Sequence, residues 1–194
     1  MKLSKILGLT VVAGVALMAF AGAASATTLE TNGVKQISAV TLESTLQGSA
    51  ELKDTSGIFL NTCSASVLKA TTSTASTGPT VSGPVSTFSF TNCTHSPIVV
   101  DAKGSLRIER IGITTNGTVT SSGLSLTAPM TVLGSVVTVP CQTSNTDLGT
   151  LDGTSIGSAS TKITINAILE CELLSSVRWV GTYAITGHAI GVAA

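Results

Sequence analysis

Apolar and polar positions alternate repeatedly along this chain, which is the period of a half-buried strand. Ile163, Ile165, Ala167, Leu169 and Cys171 fall on one face of a segment whose other face carries Thr164, Asn166 and Glu170. Val177, Trp179, Gly181, Tyr183 and Ile185 form a second such row. Leu106, Ile108 and Arg110 oppose Arg107, Glu109 and Ile111, a weaker instance. Asn116-Gly117 stands between β-formers and predicts a tight hairpin turn, and Asp152-Gly153 predicts another. No segment after Ala26 has the apolar spacing of a three-turn amphipathic helix. Val40 to Leu52 comes nearest, because Leu42, Leu46 and Leu52 share a helical face; its β-branched residues and Gly48 favour strands. Thr71 to Ser86 is low in complexity, and its Pro79 and Pro84 predict a loop or an edge segment.

The first 26 residues have the three parts of a secretory signal. Lys2 and Lys5 supply a basic start, Leu9 to Ala21 an uncharged apolar core, and Ala24-Ser25-Ala26 the small-residue cleavage pattern. The apolar run then dissolves into Thr27, Thr28 and Glu30 with no basic stop-transfer cluster, so a membrane anchor is the weaker reading. The expectation is cleavage after Ala26 and one domain over residues 27–194, secreted or held in the cell envelope or periplasm. No stable membrane insertion is expected once the leader is gone.

Composition narrows the functions open to that domain. Eight Lys and Arg after Ala26 face ten Asp and Glu, a net charge of −2, and these charges are scattered. Without a basic stripe, nucleic acid is not an expected partner. Phe59, Phe88, Phe90, Trp179 and Tyr183 are few enough for a core to claim, which argues against a stacking platform for sugars or bases. The abundant Thr and Val suit a pleated surface, and Gly and Ser suit turns.

The cysteines carry the most specific signal. Cys63 and Cys93 lie 30 positions apart, as do Cys141 and Cys171. Four cysteines in an exported chain allow three disulfide pairings, and the repeated spacing favours Cys63 with Cys93 and Cys141 with Cys171. The same repetition suggests two related halves. Against it, Cys93 is out of phase with Phe88 and Phe90, a mismatch that a bulge would repair. Zinc is rejected, because no C-x-x-C knuckle is present.

Candidate chemistry is thin. Gly153-Thr154-Ser155-Ile156-Gly157 matches the pattern of a nucleophile elbow, and Glu170 or Glu172 and then His188 follow in hydrolase order. The elbow requires a strand-to-helix turn, whereas Ile163 to Cys171 reads as a strand, so a serine hydrolase is a remote alternative. His95 beside Cys93 reads as a surface histidine next to a disulfide. Asn145, Asp147 and Asp152 offer oxygen ligands for calcium, but the order and terminal Glu of an EF-hand are missing, and a hairpin with Asx-turns explains the same letters. Glu51, Asp54 and Asp101 form no paired carboxylate set for glycoside hydrolysis. No cofactor, metal or catalytic residue is assigned.

Several segments together carry a resemblance: Thr28-Leu-Glu-Thr-Asn-Gly33, Asn61-Thr-Cys63, Phe90-Thr-Asn-Cys93, Ser176-Val-Arg-Trp179 and Gly181-Thr-Tyr183. The chain resembles short, β-rich, cysteine-paired exported proteins of soil actinobacteria, mostly of unknown function. The resemblance implies export and β structure and carries over no functional residue. The expected fold is an all-β, single-domain two-layer sandwich or flattened barrel of about ten strands with two disulfides. The expected function is a secreted or envelope-associated, non-enzymatic structural or interaction domain with a protein or envelope partner. A carrier of a small apolar ligand in an internal cavity is the alternative.

Overall fold

A computed structural model describes residues 27–73, 79–143, 147–153, 161–174, 176–187 and 189–193. The leader and the segments between these ranges lie outside the described residues. The strands are β1 (Thr28–Thr31), β2 (Val34–Lys35), β3 (Thr41–Lys53), β4 (Phe59–Thr71), β5 (Thr80–Cys93), β6 (Val99–Arg110), β7 (Gly117–Val132), β8 (Ser135–Gln142), β9 (Asp147–Asp152), β10 (Lys162–Cys171), β11 (Val177–Ile185) and β12 (Ile190–Ala193). Among the described residues there is no helix.

The two clearest sequence rows behave as alternation requires. Ile163, Ile165, Ala167, Leu169 and Cys171 on β10 are buried, as are Val177, Trp179, Tyr183 and Ile185 on β11. Val40 to Leu52 is extended rather than helical, with Leu42 and Leu52 buried on β3. Gly48 takes φ +83° where the register between β3 and β4 slips, so an irregularity replaces the helical phase of the leucines.

Of the two expected arrangements, a two-layer sandwich or a flattened barrel, the sandwich is corrected and a barrel forms through one pairing: β11 lies antiparallel to β3, from Arg178 opposite Lys53 to Ile185 opposite Ser44. That pairing closes an antiparallel barrel of eight strand positions in chain order. β8 and β9 share one position, because both pair with β7 on one side and β10 on the other. The ladder between β5 and β6 is short, from Thr80 opposite Glu109 to Pro84 opposite Ser105, and beyond it β5 pairs with β4. A barrel of this size is just wide enough for side chains to fill. Its interior does fill: Phe88, Phe90, Trp179 and Tyr183 form an aromatic cluster with ring centroids 4.7–6.2 Å apart along the chain of contacts.

The strands β12, β1 and β2 form a separate small sheet. It sits over the end of the barrel where β5 begins and β6 finishes: Thr27 Oγ1 donates to Pro79 O and accepts from Arg110 N–H. Thr161 Oγ1 both donates to Ile190 O and accepts from Ile190 N–H. This is the capped end.

Two expected turns are corrected. Asn116-Gly117 is not a two-residue turn; the β6–β7 connection spans Ile111 to Asn116, and Asn116 Oδ1 accepts from Gly153 N–H. Asp152-Gly153 is not a two-residue turn either: β9 and β10 pair as a hairpin from Asp152 opposite Lys162, but the connection runs over residues 153–161. Pro84, expected in a loop or an edge segment, sits exposed within β5 beside a register slip, at the last pair of the β5–β6 ladder. Gly83 next to it is required by crowding, since a Cβ there would collide with the Thr71 carbonyl.

Candidate functional site at the disulfide end of the barrel

Both bridges lie toward the end opposite the cap. Cys63 bonds to Cys93 and Cys141 to Cys171, the pairing that the repeated spacing favours. Each pair joins residues directly opposite one another, Cys63 and Cys93 across β4–β5 and Cys141 and Cys171 across β8–β10. The bridges therefore fall four strand positions apart, on opposite sides of the barrel. Asn92 takes φ +54° and supplies the irregularity that brings Cys93 against the core despite its phase. Such bridges persist in oxidising compartments.

At this end the β7–β8 hairpin outgrows its neighbours. β6 begins at Val99, opposite Thr127, and β10 ends at Cys171, opposite Cys141. Ala128 to Pro140 thus continues as a two-stranded ribbon, and Pro129 and Pro140 are tolerated because ribbon edges need no ladder donor there. Ala128, Met130 and Val139 on its inner face are fully buried. Buried Asn61 on β4 reaches across to it, donating through Nδ2 to Pro129 O at 2.8 Å and to His95 O at 2.8 Å, while its Oδ1 accepts from His95 N–H. His95 Nε2 and Thr131 Oγ1 are 2.8 Å apart. The ribbon is folded over the barrel end and pinned, with His95 half-buried in that seam rather than on open surface.

The turns at this end carry exposed apolar side chains: Ile58 between β3 and β4 with Phe59 at the start of β4, Leu133 between β7 and β8, and Leu173 between β10 and β11. Val136 is also exposed on the ribbon. Lys53 Nζ lies 4.4 Å from the Phe59 ring centroid and 2.7 Å from a Glu51 carboxylate oxygen. That contact with Lys53 holds the Glu51 pKa below its ordinary value. Leu133-Gly134 forms a tight turn that the sequence does not signal, because the pairs that mark such turns are Asn-Gly and Asp-Gly.

Beside the Cys141–Cys171 bridge, a recess of about 230 Å³ opens on the outer wall and is lined by Asp101, Glu170 and Glu172 with Ser125 and Gln142. Asp101 Oδ2 accepts from Thr127 Oγ1 at 2.7 Å. Among the described residues no group of three or more His, Cys, Asp or Glu is placed to hold a metal ion. Asp147 and Asp152 occupy opposite ends of β9, roughly 17 Å apart along an extended strand, rather than one calcium turn; Asn145 lies outside the described residues. Ser155 and His188 lie outside them too, so the described residues assemble no hydrolase triad, and Glu170 lies on β10 opposite Gln142.

The barrel interior is polar at a few points. Tyr183 Oη donates to Ser66 Oγ at 3.0 Å, and burial raises the tyrosine pKa well above its ordinary value, with the Ser66 contact opposing that rise. Trp179 Nε1 is buried with no hydrogen-bond partner among the described residues. The cavity beside it, lined by Leu68, Phe88, Leu106, Leu124, Leu148 and Trp179 among others, holds about 10 Å³.

Comparison with protein-family models, with curated proteins and with solved structures finds no match to this chain.

Proposed function

We propose that this protein is an exported, non-enzymatic structural or interaction domain of the cell envelope or extracellular space, working through its outer surface and its turns. The observation that carries the reading is the filled, cross-linked barrel. An interior occupied by Trp179, Tyr183, Phe88 and Phe90, with a bridge on either side, suits a rigid support for external contacts. The two disulfides support an oxidising destination. The outer row of β7, with Thr118, Thr120, Ser122, Ser125 and Thr127 alternating with buried residues, is polar where a membrane barrel would present an apolar band. Carriage of an apolar ligand would need roughly 300 Å³ or more of enclosed space. The cavity beside Trp179 holds about 10 Å³, far below that, and gives the alternative no support.

Expression of the full chain in a bacterial host, followed by fractionation, N-terminal sequencing and thiol titration, tests the proposal. The expected product begins at Thr27, is recovered outside the cytoplasm and has no free thiol. Retention in the cytoplasm with reduced cysteines would overturn it. So would ester turnover by the purified protein that disappears in Ser155→Ala.

A further inference from the structure

Two hairpins of this chain share a turn geometry but not its residues. Between β1 and β2, Asn32 and Gly33 take φ of 51° and 77°; between β7 and β8, Leu133 and Gly134 take 50° and 81°. Positive φ at both central positions is the type I′ arrangement, for which Asn-Gly is a preferred pair. Asn32 is also tied down, its N–H donating to Ala189 O and its Oδ1 accepting from Ala189 N–H. Leu133 has the same unfavourable backbone with a branched aliphatic side chain, and that side chain is fully exposed. In the isolated fold the leucine is doubly out of place, since the left-handed region disfavours it and no packing offsets the strain.

We propose that the β7–β8 tip is a lipid-docking knob, by which the exported protein binds a bilayer surface peripherally and reversibly. The inference rests on the extracytoplasmic reading above. Leu133 with Val136 makes a small convex tip, well short of the about 800 Å² per partner that a stable protein contact buries. A bilayer requires no matching surface. From Ile111 through Thr146 the chain carries no Asp, Glu, Lys, Arg or His, so the hairpin itself brings no ionisable side chain into the bilayer, and His95 meets it at Thr131, two residues behind Leu133. Ile58, Phe59 and Leu173 are exposed on other turns of the same end, and the Lys53–Phe59 pair suits the headgroup level, where a cation and a ring are both accommodated. Asp54 and Glu172, beside those turns, keep them shallow and leave the uncharged hairpin as the leading element.

The test uses the disulfide-bonded exported protein and its Leu133→Asn variant, cosedimented with phosphatidylcholine vesicles and with vesicles that also contain phosphatidylglycerol. Expected is binding to both that survives about 0.5 M salt, where charge attraction is screened. Leu133→Asn should bind roughly ten-fold less, yet melt about 3 °C higher because Asn tolerates the left-handed turn. Opposite signs for binding and stability exclude misfolding as the cause. Equal binding by the variant, no binding to either vesicle, or binding only to the anionic vesicles and lost in salt would each overturn the proposal. Self-association without lipid that Leu133→Asn abolishes would assign the tip to a second copy and overturn it as well. A processed protein found outside the cytoplasm that fails the vesicle assay sinks only the docking knob.

Discussion

Tyr183 places its phenol 3.0 Å from Ser66 Oγ in the barrel interior, and burial favours the neutral form. Its folded pKa therefore lies above its unfolded value near 10. The associated stability is fully present below about pH 10 and is lost as pH rises further, at about 1.4 kcal/mol per pH unit. Tyr183→Phe removes this loss. Urea unfolding followed by Trp179 fluorescence between about pH 9 and pH 12 should show a shallower alkaline decline for the variant, with a neutral-pH cost of about 1 kcal/mol from leaving Ser66 unpaired. Identical alkaline slopes would refute the assignment. Alternation alone places Tyr183 and Trp179 on one apolar row. Ser66, 117 residues away, had no signal in the sequence, because a serine in a strand of this composition reads as surface. Leu133 was hidden for a related reason: its conformation, not its identity, makes it unusual.

Among the elements, the paired strands explain why the cysteines repeat at equal spacing. Each bridge spans a ladder pair, so strand, turn and return strand set the separation, and the two bridges occupy matching places four strand positions apart. Each closes a loop whose removal from the unfolded ensemble stabilises by roughly 3–4 kcal/mol in the chain-entropy model. Cys63→Ser with Cys93→Ser, and Cys141→Ser with Cys171→Ser, should each lower urea stability by about that amount. Losses below about 1 kcal/mol for both double variants would mean that the barrel ladders alone hold these strands. The pairing was legible in the spacing, and the phase mismatch at Cys93 was legible as a problem. Its resolution at Asn92 was not, since a single residue at positive φ leaves no pattern. The ribbon over the barrel end was missed entirely, because Ala128 to Pro140 alternates like any other strand pair and nothing in it states where its neighbours stop.

At the scale of the whole molecule, the chain is joined twice over: β11 to β3 closes the barrel, and β1 to β12 brings the first and last strands together over the capped end. Leu29 on β1 and Ile190 and Val192 on β12 are buried. Truncation after Thr186 removes β12 and the partner of β1. The truncated chain should keep the far-ultraviolet spectrum of a β protein, bind an apolar dye that the intact chain does not, and melt at a lower temperature. An unchanged melting temperature would show that the cap contributes nothing to the barrel. By itself the sequence determined that this protein is built from strands, which residues of β10 and β11 face inward, and which cysteines are spaced to pair; all three follow from a period of two residues and from counting along the chain. Only the tertiary structure decided that the sheet closes instead of splitting into two layers, that Asn61 spans the barrel end, and that Leu133 stands in a turn made for asparagine. Those outcomes depend on which distant strands meet and in what register, and the free energy that selects them is shared across many residues far apart in sequence.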